Sequence, residues 1–88
     1  MVRFHIDSDD GDLLVHDEEG QDYADAQAAR DVALASLPDM AKCGIGRGGR
    51  RTFSVRVRDE SGATVYSASL RLEDEWSVEP PLSYTGGP

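Results

Sequence analysis

Three glycines in the stretch KCGIGRGGRR, Gly44, Gly46 and Gly49, have the G-x-G-x-x-G spacing by which dinucleotide-binding loops bring backbone amides up to a pyrophosphate. That chemistry needs the glycines to follow a strand and open a helix, so that the positive helix terminus points at the phosphates. Here they follow a helical pattern and precede a strand pattern, which is the wrong end of the dipole. No Gly-Lys-Ser/Thr follows at the spacing of a phosphate-binding P-loop either. The glycines are therefore expected to serve as a connector, with Gly44 ending the helix.

The acidic run DSDDGD has the look of a calcium loop, and Glu18 stands twelve places after Asp7 counted inclusively. The obligatory glycine at position 6 is missing: Asp12 is there, and Gly11 takes a ligand position instead. A solvated acidic turn is expected. His5 and His16 fall on neighbouring strands of a hairpin, but a zinc site needs further ligands, and Cys43 has no partner at metal-binding spacing. Cys43 with a histidine is also the one nucleophile pair on offer, and no third group to orient it is evident. These residues predict no catalytic residue, cofactor or metal, and hence no enzyme.

A cationic stretch remains. Residues 42–58 hold Lys42, Arg47, Arg50, Arg51, Arg56 and Arg58 with no acid, in a chain whose net charge is -8. Arg47, Arg50, Arg51, Arg56 and Arg58 are the candidate contacts for an anion or a partner. The competing reading is structural: arginines on an uncovered sheet face keep it soluble and pair across strands with Asp7, Asp59 or Glu73. The overall charge repels phosphate, and no aromatic platform for stacking bases accompanies the arginines.

The elements that must hold these residues follow from periodicity. In VRFHID, Val2, Phe4 and Ile6 alternate with Arg3, His5 and Asp7, the two-residue period of a half-buried strand. A turn at SDDG leads into a returning strand, DLLVHD, and a second turn, DEEG, follows. Ala26, Ala29, Val32, Ala33, Leu37 and Met40 then recur at helical spacing, with Asp25 as N-cap and Tyr23 as a staple before it. Pro38 predicts that this helix kinks or stops near Ser36.

Phe53, Val55 and Val57 set the inward face of the next strand. Across a turn at Ser61-Gly62, Tyr66, Ala68, Leu70 and Leu72 set that of its partner. Trp76 is expected to cap the edge of the core. The resulting expectation is an α+β, ββαββ domain over 1–76, a four-stranded antiparallel sheet with one helix packed on one face, followed by a loose tail over 77–88. A chain of 88 residues buries about 60–65% of its unfolded surface, so the core is thin. The lone cysteine permits no intrachain disulfide. The opening MVRFHIDSDDGD lacks the apolar core of a secretory signal, and no apolar run approaches the roughly 20 residues of a membrane span. A cytoplasmic location without membrane contact is the expectation.

The opening VRFHIDSDDGDLLVHDEEGQDYAD, the following AQAARDVALASL and the later RRTFSVRVRDESGATVYSASL together resemble a family of short bacterial proteins of unknown function. The shared pattern is Arg and an aromatic in a first strand, two acidic turns ending in glycine, an Asp-led Ala-Ala-Arg helix start and a closing hairpin. The resemblance covers residues 2–72 and implies no activity, cofactor or site residue. A fainter similarity, strand pair, acidic turn and Ala-rich helix, points to the small antitoxins of toxin-antitoxin pairs, without their DNA-binding segment. The expectation is a protein-interaction module with an unknown protein partner or a second copy. The alternative is a nucleic-acid-binding or antitoxin-like module using residues 42–58.

Overall fold

The computed structural model describes residues 1–44 and 50–78. Among them the order is β1 (Val2–Asp9), β2 (Leu14–Val15), β3 (Gln21–Tyr23), α1 (Ala26–Gly44), β4 (Arg50–Arg58) and β5 (Thr64–Glu73). β1, β4 and β5 form antiparallel neighbours, with Asp7 opposite Arg56, Val57 opposite Tyr66 and Phe53 opposite Leu70. The other edge of β1 is shared: β2 pairs with Ser8 and Asp9, and β3 pairs with Val2 to Phe4.

The class is thus α+β, and among the described residues there is one helix and an antiparallel sheet of five strands, not four. The returning strand expected over DLLVHD shrinks to Leu14–Val15, because His16 and Asp17 turn inward onto Asp7. β3 is the added strand. Its three residues are too few to display a two-residue period.

The alternation in β1, β4 and β5 puts one row of side chains beneath the helix. Phe4, Phe53, Val55 and Val57 are buried there against Ala29, Ala33 and Leu37 of α1. The helical trio is spaced four apart, and the two alanines let the helix axis approach the sheet closely. Asp25 caps the helix as expected, its Oδ1 accepting the Ala28 amide at 2.8 Å. Tyr23 packs on the core from β3, its ring 6.3 Å from that of Phe4.

Three corrections belong to this region. The helix does not stop near Ser36 but continues through Pro38 to Gly44, since Met40 and Ala41 beyond the proline still pack on the core. That packing outweighs the amide bond which Pro38 cannot make to the turn before it. Val32 is more than half exposed, outside the apolar stripe assigned to it. Trp76 is 63% exposed and does not cap the core. The connector 45–49, which includes Arg47, and the tail from residue 79 lie outside the described residues, while Ser77 and Val78 are exposed. The glycine loop does run from a helix to a strand, as its phosphate-incompatible order requires.

Candidate functional site

β1 presents Arg3, His5, Asp7 and Asp9 to the sheet face away from the helix, and β4 presents Ser54, Arg56 and Arg58 to the same face. A carboxylate on an uncovered sheet would ordinarily be wet, yet Asp7 is 2% exposed. Its neighbours supply the cover. Arg58 grips it with both ends of its fork, Nε to Oδ2 at 2.7 Å and Nη2 to Oδ1 at 3.0 Å, and Arg56 Nη2 donates to Oδ2 at 3.0 Å. The Asp17 amide donates to Oδ1 at 2.9 Å, and His16 Nδ1 lies 3.4 Å from the same oxygen.

This arrangement also repairs a gap in the ladder. Between β2 and β3 the chain leaves β1, and the Ile6 amide there donates to Asp17 Oδ2 at 3.1 Å. Asp17 Oδ1 takes the Gly20 amide at 3.0 Å, which fixes the turn into β3. Gly20 has φ of 74°, and a Cβ on it would lie 2.9 Å from the Phe4 carbonyl oxygen and from His5 Cε1. Only glycine satisfies both conditions. Two aspartates, Asp7 and Asp17, thus tie together β1, the β2–β3 connection and β4.

The electrostatics match this role. The hydrogen bonds from Arg58, with those from the Asp17 amide and Arg56, outweigh burial and hold the Asp7 carboxyl far below the ordinary carboxylate range. The Gly20 amide, with that of Ile6, likewise holds Asp17 below it. A carboxylate ionised at every working pH, with both oxygens engaged, has no proton to give and no lone pair directed at a substrate.

The four candidate arginines among the described residues do not share one face. Arg56 and Arg58 share the open face and Asp7, with side-chain exposures of 48% and 14%. Arg51 lies on the opposite face beside Phe53, its guanidinium 5.6 Å from that ring and 3.1 Å from Asp12 Oδ2. Arg50 is on the outer part of β4 and reaches Glu73 at 3.6 Å, an acid it shares with Arg71. Arg47 lies outside the described residues. The cross-strand partners Asp7 and Glu73 are therefore used, whereas Asp59 caps its own turn, accepting from Ser61 and Ala63.

The acidic loop uses its carboxylates in the same local way: Asp9 accepts the Gly11 amide, and Asp10 those of Asp12 and Leu13. Among the described residues no cluster of histidine, cysteine and acid side chains has metal-binding geometry. The open face carries a shallow trough of about 440 Å³ with Asp9, Leu14, Ser54, Arg56, Ser67 and Ser69 around it. It is the size of a ligand pocket, but no aromatic side chain lines it. No helix among the described residues is long and apolar enough to cross a membrane.

The two sheet edges differ. On one side, β1 is covered by β2, by β3 and by the Asp17 carboxylate between them. On the other, β5 pairs only with β4 among the described residues, leaving ten residues with one side of their backbone unpaired. The sequence pattern shows the arginines and Asp7 as their cross-strand partner, but not the joining of Asp7 with His16 and Asp17. The signal for the pairing was a lone acid opposite an Arg-x-Arg pair.

Comparison with curated proteins and with solved structures gives no match. A match to a family does exist, and it runs from Arg3 in β1 to Arg71 in β5, so it includes the Asp7 cluster and the turns at Gly11, Gly20 and Gly62. The chain belongs to the family defined by DUF6894, a domain of unknown function, which matches residues 3–71.

Proposed function

We propose that the domain is a non-enzymatic protein-interaction module that accepts a partner strand along the edge of β5. The supporting observation is the asymmetry of the edges among the described residues: one is closed by two short strands and a carboxylate, while the ten-residue β5 is paired there on one side only. Natural edges are ordinarily blunted by charge, proline or brevity. The central run of β5, Tyr66-Ser67-Ala68-Ser69-Leu70, has no charge and no proline. Added strands gain affinity from main-chain hydrogen bonds and specificity from alternate side chains. Asp7, the one charged side chain buried among the described residues, is spent on structure and supplies no acid or base for catalysis.

The alternative of a nucleic-acid or antitoxin-like contact through residues 42–58 gains no comparable support. Arg50, Arg51, Arg56 and Arg58 each have a carboxylate within 4 Å, and Arg51 stands on the other face from Arg56 and Arg58. The test is affinity capture from native lysate with wild-type and Ser69→Lys baits, both shown to be folded by circular dichroism. A protein recovered by the wild type and lost with the edge variant supports the reading. Equal recovery by both, or recovery of nucleic acid alone, counts against it.

A further inference from the structure

We infer that two copies of this chain pair β5 to β5, antiparallel about a two-fold axis at Ser69, to make one continuous sheet; this rests on the proposed use of the β5 edge.

Charge selects the edge first. A chain of net charge -8 repels its own copies, so self-contact must avoid the acidic surface. Residues 9–22, which include β2, carry seven acids and no lysine or arginine. β5 carries only Arg71 and Glu73, which pair with each other, Arg71 Nη2 reaching Glu73 Oε1 at 2.6 Å. The neutral edge is therefore the one that a like-charged copy can approach.

The register follows from the two-residue period. In an antiparallel pair, directly opposite residues lie on the same face, so a two-fold axis must pass through a residue position if apolar is to meet apolar. The side chains of Tyr66, Ala68, Leu70 and Leu72 face the helix side, as shown by their partners Val57, Val55, Phe53 and Arg51. Ser67, Ser69 and Arg71 face the open side. The ladder is irregular between Val57 and Arg58, where β5 passes Val65, so the regular stretch runs from Tyr66 onward.

Centring on Ser69 matches Tyr66 to Leu72 of the second copy, Ala68 to Leu70, and Ser67 to Arg71. The whole regular stretch Tyr66–Leu72 is then paired. No like charges stand opposite or diagonal. Leu70, 38% exposed in the single chain, gains neighbours on its free side. Centring one residue further on, at Leu70, brings the two Arg71 side chains onto a diagonal, which like charge disfavours.

The same geometry places residue 69 of each copy face to face at the axis, with Cα atoms about 4.5–5.5 Å apart. The test uses that self-juxtaposition. Sedimentation equilibrium of the full chain is run for wild type, Ser69→Lys, Ser69→Glu and an equimolar mixture of the two variants. The expected result is a dimer for wild type, persisting or tightening as salt screens the net charge. Each variant alone is weakened at least tenfold by like charge at the axis, and the mixture recovers dimer.

A wild type that stays monomeric throughout the micromolar range overturns the inference, as does a dimer indifferent to both charges. Loss in both variants without recovery on mixing overturns this register. A monomeric wild type whose β5 edge still captures another protein from lysate would leave the interaction-module reading standing, so the two failures are distinguishable.

Discussion

Replacing Asp7 by Asn removes the charge on which β1, β4 and the β2–β3 connection converge, while keeping the shape of the side chain. Asparagine retains one acceptor oxygen for the Asp17 amide but turns an NH2 group toward the fork of Arg58. Arg58, 14% exposed at its side chain, has little room to swing into water, whereas the half-exposed Arg56 does. Leaving one partner of a buried pair uncompensated costs about 3–5 kcal/mol, and the Arg58 share of the contact puts this case at about 3–4 kcal/mol. A domain of 88 residues has about 4–13 kcal/mol in total, so the variant is marginal or unfolded.

Urea titration followed by circular dichroism reads the loss, together with a fall in Tm of about 15–30 °C. Arg56→Gln is the contrast, with an expected cost of about 1 kcal/mol or less because its ion pair is half exposed. An Asp7→Asn protein within about 1 kcal/mol of wild type would show that Arg58 is not left uncompensated, since a buried pair cannot be broken so cheaply.

The pH dependence carries the same sign. Asp7 is depressed in the folded state, chiefly by Arg58, so its stabilisation is complete above the unfolded pKa of about 3.9 and is lost as pH falls below that value. Wild type therefore loses stability on acidification from about pH 5 downward, and Asp7→Asn gives a flatter acid limb in the same titration.

Gly20→Ala is expected to cost about 2–4 kcal/mol, combining positive φ with the clash against the Phe4 carbonyl, while Gly62→Ala, strained in φ but in open space, costs about 1–2 kcal/mol. Thermal melts that rank Gly62→Ala as the worse of the two would contradict the close approach at Gly20. Asp25→Ala removes the cap on Ala28 and is expected to cost about 1 kcal/mol by urea titration. Pro38→Ala restores an amide donor inside a continuous helix, and a gain of about 1–2 kcal/mol is expected after allowing for the greater freedom of the unfolded chain. A destabilised Pro38→Ala would mean that the proline itself contributes packing.

Much of the fold was readable because its signals are local. The alternation of Phe4 with His5, or of Val55 with Arg56, needs no knowledge of a neighbour, and Asp25 announces the helix start by itself. Asp7 was readable as a cross-strand partner of outward arginines, but its burial was not. Its own strand places it on the face away from the core, and what buries it arrives from Arg56 and Arg58, about fifty positions later in the chain. The division of the β1 edge between two strands depends likewise on Asp17 standing in for a missing backbone partner at Ile6. Pro38 misled because the rule for proline concerns the helix alone, while Met40 and Ala41 are held by the sheet. Arg56 and Arg58 stand outward on β4 as their alternation with Val55 and Val57 indicates, while the same period puts Arg51 on the opposite face.

The most direct measurement of the central claim is hydrogen exchange along β5, read residue by residue while protein concentration is raised from low to high micromolar. With β5-to-β5 pairing, alternate β5 amides, those directed away from β4, exchange freely in dilute solution and become protected on association, with β2 and β3 unchanged. Protection that instead appears over the exposed helix residues Val32 and Leu34, or nowhere, would contradict it.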